Sequence, residues 1–219
     1  MTRYHRIAAQ DLGRLGALSD GIFAVAMTLL VLDLHVPAAQ AWNERVLWSG
    51  GAVSAEEPVW HALTHVGPQF LICFLGFLTL GMFWIGQQTQ LNLMVRADRT
   101  LAWIHIMFLF GICLVPFATA LLAAFPQSRL ALLVYWVDLL YLGLVQLVSL
   151  RYARRADLLS EATTPEDTMA IRKRIAIVQV LYAVCVALSP ISTYLSIGLI
   201  IALQLNSAVS PPIRPLNRF

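Results

Sequence analysis

Four side chains in this sequence could do acid, base or ion chemistry where such groups are rare: Asp20, Asp33, His105 and Asp138 all lie within or at the edge of apolar runs. A carboxylate there can tie helices together through hydrogen bonds, attract a cation or pass a proton, and an imidazole can relay one. Asp20 and Asp33 bracket the run GIFAVAMTLLVL, twelve residues from Gly21 to Leu32. As a helix that run is about 18 Å long, against a hydrocarbon core of roughly 30 Å. One or both aspartates must therefore sit at membrane depth, facing protein or a water-filled cavity.

At 100° per residue, Val25, Leu29 and Leu32 share one helix face with Thr28 beside it, while Ser19 and Asp20 point elsewhere. The segment thus carries an apolar stripe and a separate polar notch. Candidate partners for the notch are Trp84, Gln87, Gln88, Asp98, Arg99 and His105, all expected at the same end of the bundle as Ser19 and Asp20. Arg14 lies eleven residues before Val25, near the stripe's face, and three roles are open to it: standing at the cytoplasmic end of that face, an ion pair with Asp20 or Asp98, or a snorkelling anchor. Asp33 is open to two, a cation-attracting ring or an acid hydrated at the headgroup level.

Weaker constellations are set aside. His61 and His65 have an i, i+4 metal-pair spacing but no third ligand, so they read as interfacial histidines. Asp138 has no basic neighbour in sequence, which favours a protonated or helix-bonding role. Cys73, Cys113 and Cys185 lie in apolar segments without C-x-x-C spacing and read as buried thiols. No Ser-His-Asp, G-x-S-x-G, P-loop or paired-carboxylate pattern appears, so neither an enzyme nor a cofactor is expected.

The elements that must position these groups follow from composition. Of 219 residues, 59% are hydrophobic and 12% charged, about half the charge of a soluble domain. With a mean hydropathy of +0.72, the chain reads as an all-α, polytopic membrane protein forming a single domain over residues 1–219. Six spans are expected at about 15–36, 62–86, 100–124, 130–150, 174–190 and 192–209. Between the first two, the stretch from Ala38 to Pro58 reads as a loop with Trp42 and Trp48 at headgroup level. Thr164, Pro165 and Asp167 read as the capped start of a helix. With both termini in the cytoplasm, every Lys and Arg except Arg45 and Arg129 falls inside, which sets the orientation. The net charge of +3 is spread between apolar segments and forms no basic stripe, which argues against nucleic acid as a partner. A cleaved signal peptide ending at the AQA of residues 39–41 is the rival reading of the first segment; the flanking aspartates argue against it.

The stretch RLGALSDGIFAVAMTLLVLDL, Arg14 to Leu34, resembles the R-x-x-x-F-S-D signature and the G-[IV]-F-A-[IV]-A-x-T-L-L-V-L-[DE] continuation of the transmembrane-protein-175 family of potassium channels. GMFWIGQQ and DRTLAWIHIMFLFGICLVPFATALL resemble that family's second and third spans. Leu18 stands where the signature has phenylalanine, Gln87 and Gln88 where histidine is frequent, and His105 where asparagine is frequent. The resemblance implies a cell-membrane, multi-pass cation channel of the bacterial form, a homotetramer whose first spans surround a central pore for potassium ions. It implies pore-lining roles for Val25, Thr28, Leu29 and Leu32, with Val25 giving a wider constriction than the isoleucine or leucine common there. It also implies a structural network of Arg14, Ser19, Asp20, Trp84, Gln87, Asp98 and His105.

Two other functional classes are compatible with the residues. A proton- or substrate-coupled secondary transporter would use Asp20, His105 and Asp138 as a relay, although the internal repeat usual in such proteins is not visible. A nonconducting membrane scaffold would use none of them.

Overall fold

A computed structural model of the chain describes residues 11–34 and 57–209. The loop tryptophans Trp42 and Trp48, the AQA triplet, Arg45 and both chain ends lie outside the described residues, as does the side chain of His65. Six helices follow one another: α1 (Leu12–Leu32), α2 (Glu57–Asn92), α3 (Arg99–Ala124), α4 (Arg129–Arg155), α5 (Pro165–Ala187) and α6 (Thr193–Val209). The first four are long and apolar enough to cross a membrane by length and composition. The last two fall short, for different reasons. Arg172, Lys173 and Arg174 leave α5 an apolar stretch only from Ile175 onward, and α6 has 17 residues, about 26 Å of helix.

Local chemistry sets most of the boundaries. Asp11 caps α1 by accepting from the amides of Gly13 at 2.8 Å and Arg14 at 3.3 Å. Asp98 caps α3 through the Leu101 amide at 2.8 Å, and Ser128 caps α4 through the Ala131 amide at 3.3 Å. The Thr164 start expected for the fifth segment is a full capping box, with Pro165 in the first turn and Asp167 accepting from the Thr164 amide. The Thr164 hydroxyl and amide hold the Asp167 carboxyl below its ordinary value. This cap starts α5 nine residues before the expected 174, because a cap acts where the backbone turns and not where lipid begins. Arg154 and Arg155 close α4, where cations complement the helix dipole.

In the packing, α1 lies against α2 and α3, α4 joins α3 to α5, and α6 sits between α2 and α5. The central core runs through all six helices and includes Phe23, Leu75, Ile112, Leu132, Tyr135, Tyr182 and Ile200. Helices come close where glycine allows it: a Cβ on Gly76 would stand 2.7 Å from Thr119 Oγ1, and one on Gly111 2.7 Å from Leu142 Cδ2. Within the core, Thr79 of α2 donates its hydroxyl proton to the Leu75 carbonyl at 3.0 Å. It then accepts at 2.6 Å from both the Tyr135 hydroxyl of α4 and the Gln204 amide of α6. All three side chains are fully buried. Cys73 and Cys185 are buried as expected, and Cys73 Sγ approaches the Leu30 carbonyl at 3.3 Å. Cys113 is not: it lies on the outward face of α3.

At the basic end, the segment after α2 clasps the segment after α4. Val95 donates to the Leu158 carbonyl at 3.0 Å and Ser160 to the Leu93 carbonyl at 2.8 Å. Arg96 adds a bond to the Asp157 carbonyl at 3.1 Å. Asp157 has φ 56°, the left-handed conformation that ends a helix, which aspartate tolerates better than most residues. A small second core of Leu15, Met94, Leu101, Ala153 and Leu158 lies beneath this clasp.

Candidate functional site

Every third or fourth residue of α1 is buried: Leu15, Ser19, Phe23, Ala26 and Leu30. That spacing rolls one face of the helix onto α2 and α3 and brings Ser19, at 0% exposure, against two other polar side chains. Ser19 Oγ lies 2.6 Å from His105 Nε2 of α3, and the Gln87 amide of α2 donates to it at 2.7 Å. The same amide lies 3.2 Å from the ring nitrogen, and Ser19 Oγ also reaches the Leu15 carbonyl at 2.9 Å. With Nε2 as acceptor, Gln87 can donate to both Ser19 and His105, and the serine proton is shared between the ring and Leu15. Three helices are tied here by three side chains.

Asp20, one residue on, faces a different partner set. Its Oδ1 accepts from Trp84 Nε1 at 2.8 Å and from Gln88 Nε2 at 3.0 Å, at the more open edge of the same interface. Trp84, Gln87 and Gln88 stand at i, i+3 and i+4 on α2, so one helix face serves both α1 residues. Two members of the expected network stand apart. Asp98 Oδ2 accepts from the Tyr152 hydroxyl of α4 at 2.5 Å, and its other oxygen caps α3; it braces the α3–α4 pair and does not reach α1. Arg14 is exposed, and its side chain reaches neither Asp20 nor Asp98, because the residues three and four turns along on its own face belong to the open side of α1. No local signal in the sequence points to Tyr152 as the partner of Asp98.

The stripe residues stand on that open side. Val25 is 58% exposed, Leu29 44% and Leu32 72%, and Thr28 is exposed between them. The Thr28 hydroxyl donates to the Val25 carbonyl at 2.8 Å, so its oxygen turns lone pairs outward. Asp33 caps the end of α1 and is exposed. The relay imagined for a transporter does not assemble. Asp138 is buried with both oxygens lacking a hydrogen-bond partner, while Asp20 is held by Trp84 and Gln88. His61 pairs with Glu57 at 3.6 Å, and no group of three or more metal-ligating side chains is found among the described residues.

Residues 14–116 match the family described as endosomal/lysosomal potassium channel TMEM175. A protein of Chamaesiphon minutus named as a potassium channel is 32% identical over 203 residues, covering 91% of this chain and 94% of its own. The chain belongs to the TMEM175 family. A crystal structure of a lysosomal potassium-selective TMEM175 homologue from the same organism superposes with a TM-score of 0.68 at 29% identity, over 92% of this chain and 98% of that one. The mouse endosomal/lysosomal proton channel TMEM175 is 32% identical over 118 residues, 52% of this chain but 22% of that protein. The TMEM175 match begins at Arg14 and ends at Pro116, so it takes in α1, α2 and most of α3, the three helices that make the Ser19–Gln87–His105 and Asp20–Trp84–Gln88 contacts. The chain is thus a multi-pass membrane protein of an ion-channel family.

Proposed function

We propose that this chain is one subunit of a potassium-permeable cation channel in which four copies surround a pore lined by α1. The observation that carries the reading is the division of α1 into two faces: one sealed against α2 and α3 by Phe23, Ala26 and Leu30, the other open from Val25 to Leu32. A single chain has no conduit along that open face; symmetry-related copies would close one. Apolar rings at Val25, Leu29 and Leu32 would then make an ion shed water, which favours potassium over sodium, and the outward lone pairs of Thr28 would replace part of its hydration. Arg14 and Asp33 mark the two ends of the same open face as pore mouths, with the basic end in the cytoplasm. Ser19, Asp20, Trp84, Gln87 and His105 hold the pore helix and touch no ion. No enzymatic step is part of this reading.

The test is the reversal potential of the reconstituted protein under bi-ionic potassium and sodium. Val25→Ala should shift it toward sodium, since a wider ring no longer enforces dehydration, and Thr28→Val should shift it by deleting the oxygen layer while keeping its shape. Unchanged potentials in both variants would remove α1 from the selectivity mechanism. A second reading, proton permeation, is favoured by the match to animal relatives named as proton channels. Currents that follow a pH gradient without potassium would identify it.

A further inference from the structure

A cleft of about 440 Å³ opens between α2, α4, α5 and α6, with no lining residue from α1. That volume lies in the range of small-molecule sites. Its walls are apolar side chains such as Phe77, Met82, Ile175 and Val178, and it has no acidic lining residue. Three polar features converge on it. Gln90 lines the cleft and is only 4% exposed, yet its Nε2 has no hydrogen-bond partner, so an unmet donor stands in the cleft wall. Gln179 spends its Nε2 on the Leu139 carbonyl at 2.9 Å and leaves Oε1 without a partner. At the rim, Arg174 Nη2 lies 3.4 Å from the Ser207 hydroxyl, and no ion pair of Arg174 with a carboxylate is found among the described residues.

The surroundings decide what kind of molecule fits. Arg172 and Lys173 precede Arg174, and Arg151, Arg154 and Arg155 close α4 at the same basic end, where an anionic leaflet would lie. The cleft runs from this charged rim along the apolar flanks of α2 and α4, both long enough to span a membrane, toward the depth of acyl chains and not of soluble metabolites. On α2, Gly81 lines the cleft with nothing within 4 Å of where its Cβ would stand, a slot between the exposed side chains of Phe77 and Ile85.

We propose that this cleft binds an anionic phospholipid from the leaflet at the basic end. Its phosphate sits at Arg174, an ester or phosphate oxygen accepts from Gln90 Nε2, and one acyl chain passes Gly81 between α2 and α5. The site is separate from the pore reading, because none of its lining residues belongs to α1.

The test is native mass spectrometry of the full-length protein released from detergent micelles containing equal phosphatidylglycerol and phosphatidylcholine. The wild type should retain one phosphatidylglycerol per subunit, about fivefold over phosphatidylcholine, as expected for one arginine near an anionic headgroup. Gly81→Phe fills the slot and should lose both lipids. Arg174→Gln, at an exposed position that folding tolerates, should keep some lipid and lose the preference. Inorganic phosphate in excess should displace neither. Full retention in folded Gly81→Phe, an unchanged preference in Arg174→Gln, or displacement by free phosphate would each overturn the proposal; the Arg174→Gln outcome stands alone if Gly81→Phe fails to fold.

Discussion

Two buried polar knots hang from α2, eight residues apart, and they are built for different work. Thr79, Tyr135 and Gln204 join α2, α4 and α6 at the centre of the bundle, each fully buried, with the Tyr135 hydroxyl and the Gln204 amide both bonded to Thr79. Ser19, Gln87 and His105 join α1, α2 and α3 with shared and redundant bonds, beside the exposed Asp20–Trp84–Gln88 contact. In the first knot one oxygen, Thr79 Oγ1, serves two donors, so its loss removes both bonds at once. In the second, Gln87 and His105 still face each other if Ser19 is removed. The first is a fixed joint; the second can lose a member and keep a contact between α2 and α3.

That contrast can be broken by mutation. The largest effect is expected from Thr79→Val, which keeps the shape of the side chain and takes the shared acceptor from the buried Tyr135 and Gln204 donors, at about 1–3 kcal/mol each. Reversible unfolding in mixed detergent micelles should show the loss. A cost no greater than that of Ser19→Ala would show that the two knots are equivalent and defeat the comparison.

Ser19→Ala should cost less, about 1 kcal/mol, because the Gln87–His105 approach at 3.2 Å remains. In a double-mutant cycle with Gln87→Leu, strong coupling between the two sites would support a shared knot, and independent effects would dissolve it.

Asp20→Ala removes two bonds at a more open site and should weaken assembly of the oligomer while leaving the bi-ionic reversal potential where it was. A shifted potential with normal assembly would move Asp20 from the support to the pore.

The smallest change in stability, within about 0.5 kcal/mol, is expected from Val25→Ala, since this mostly exposed side chain has little packing to lose. Its effect should appear in ion preference alone, and a large loss of folding stability would mean that this face is packed against protein of its own chain.

Much of the supporting machinery can be read in sequence because its causes are local. Composition identifies a membrane bundle, the twelve-residue run between Asp20 and Asp33 separates stripe from notch on α1, and Thr164-Pro165-Glu166-Asp167 spells out its own capping box. Helical periodicity fixes the angle of each side chain about its own axis, so Ser19 and Val25 part company before any neighbour is known. Periodicity is silent about which helix fills the facing space. Hence Asp98 looked like a partner for α1 and instead binds Tyr152, Cys113 looked buried and faces out, and the Thr79–Tyr135–Gln204 knot gave no sign at all. Those pairings join residues 54 to 125 positions apart, and only the packing of six helices against one another brings them within 3 Å.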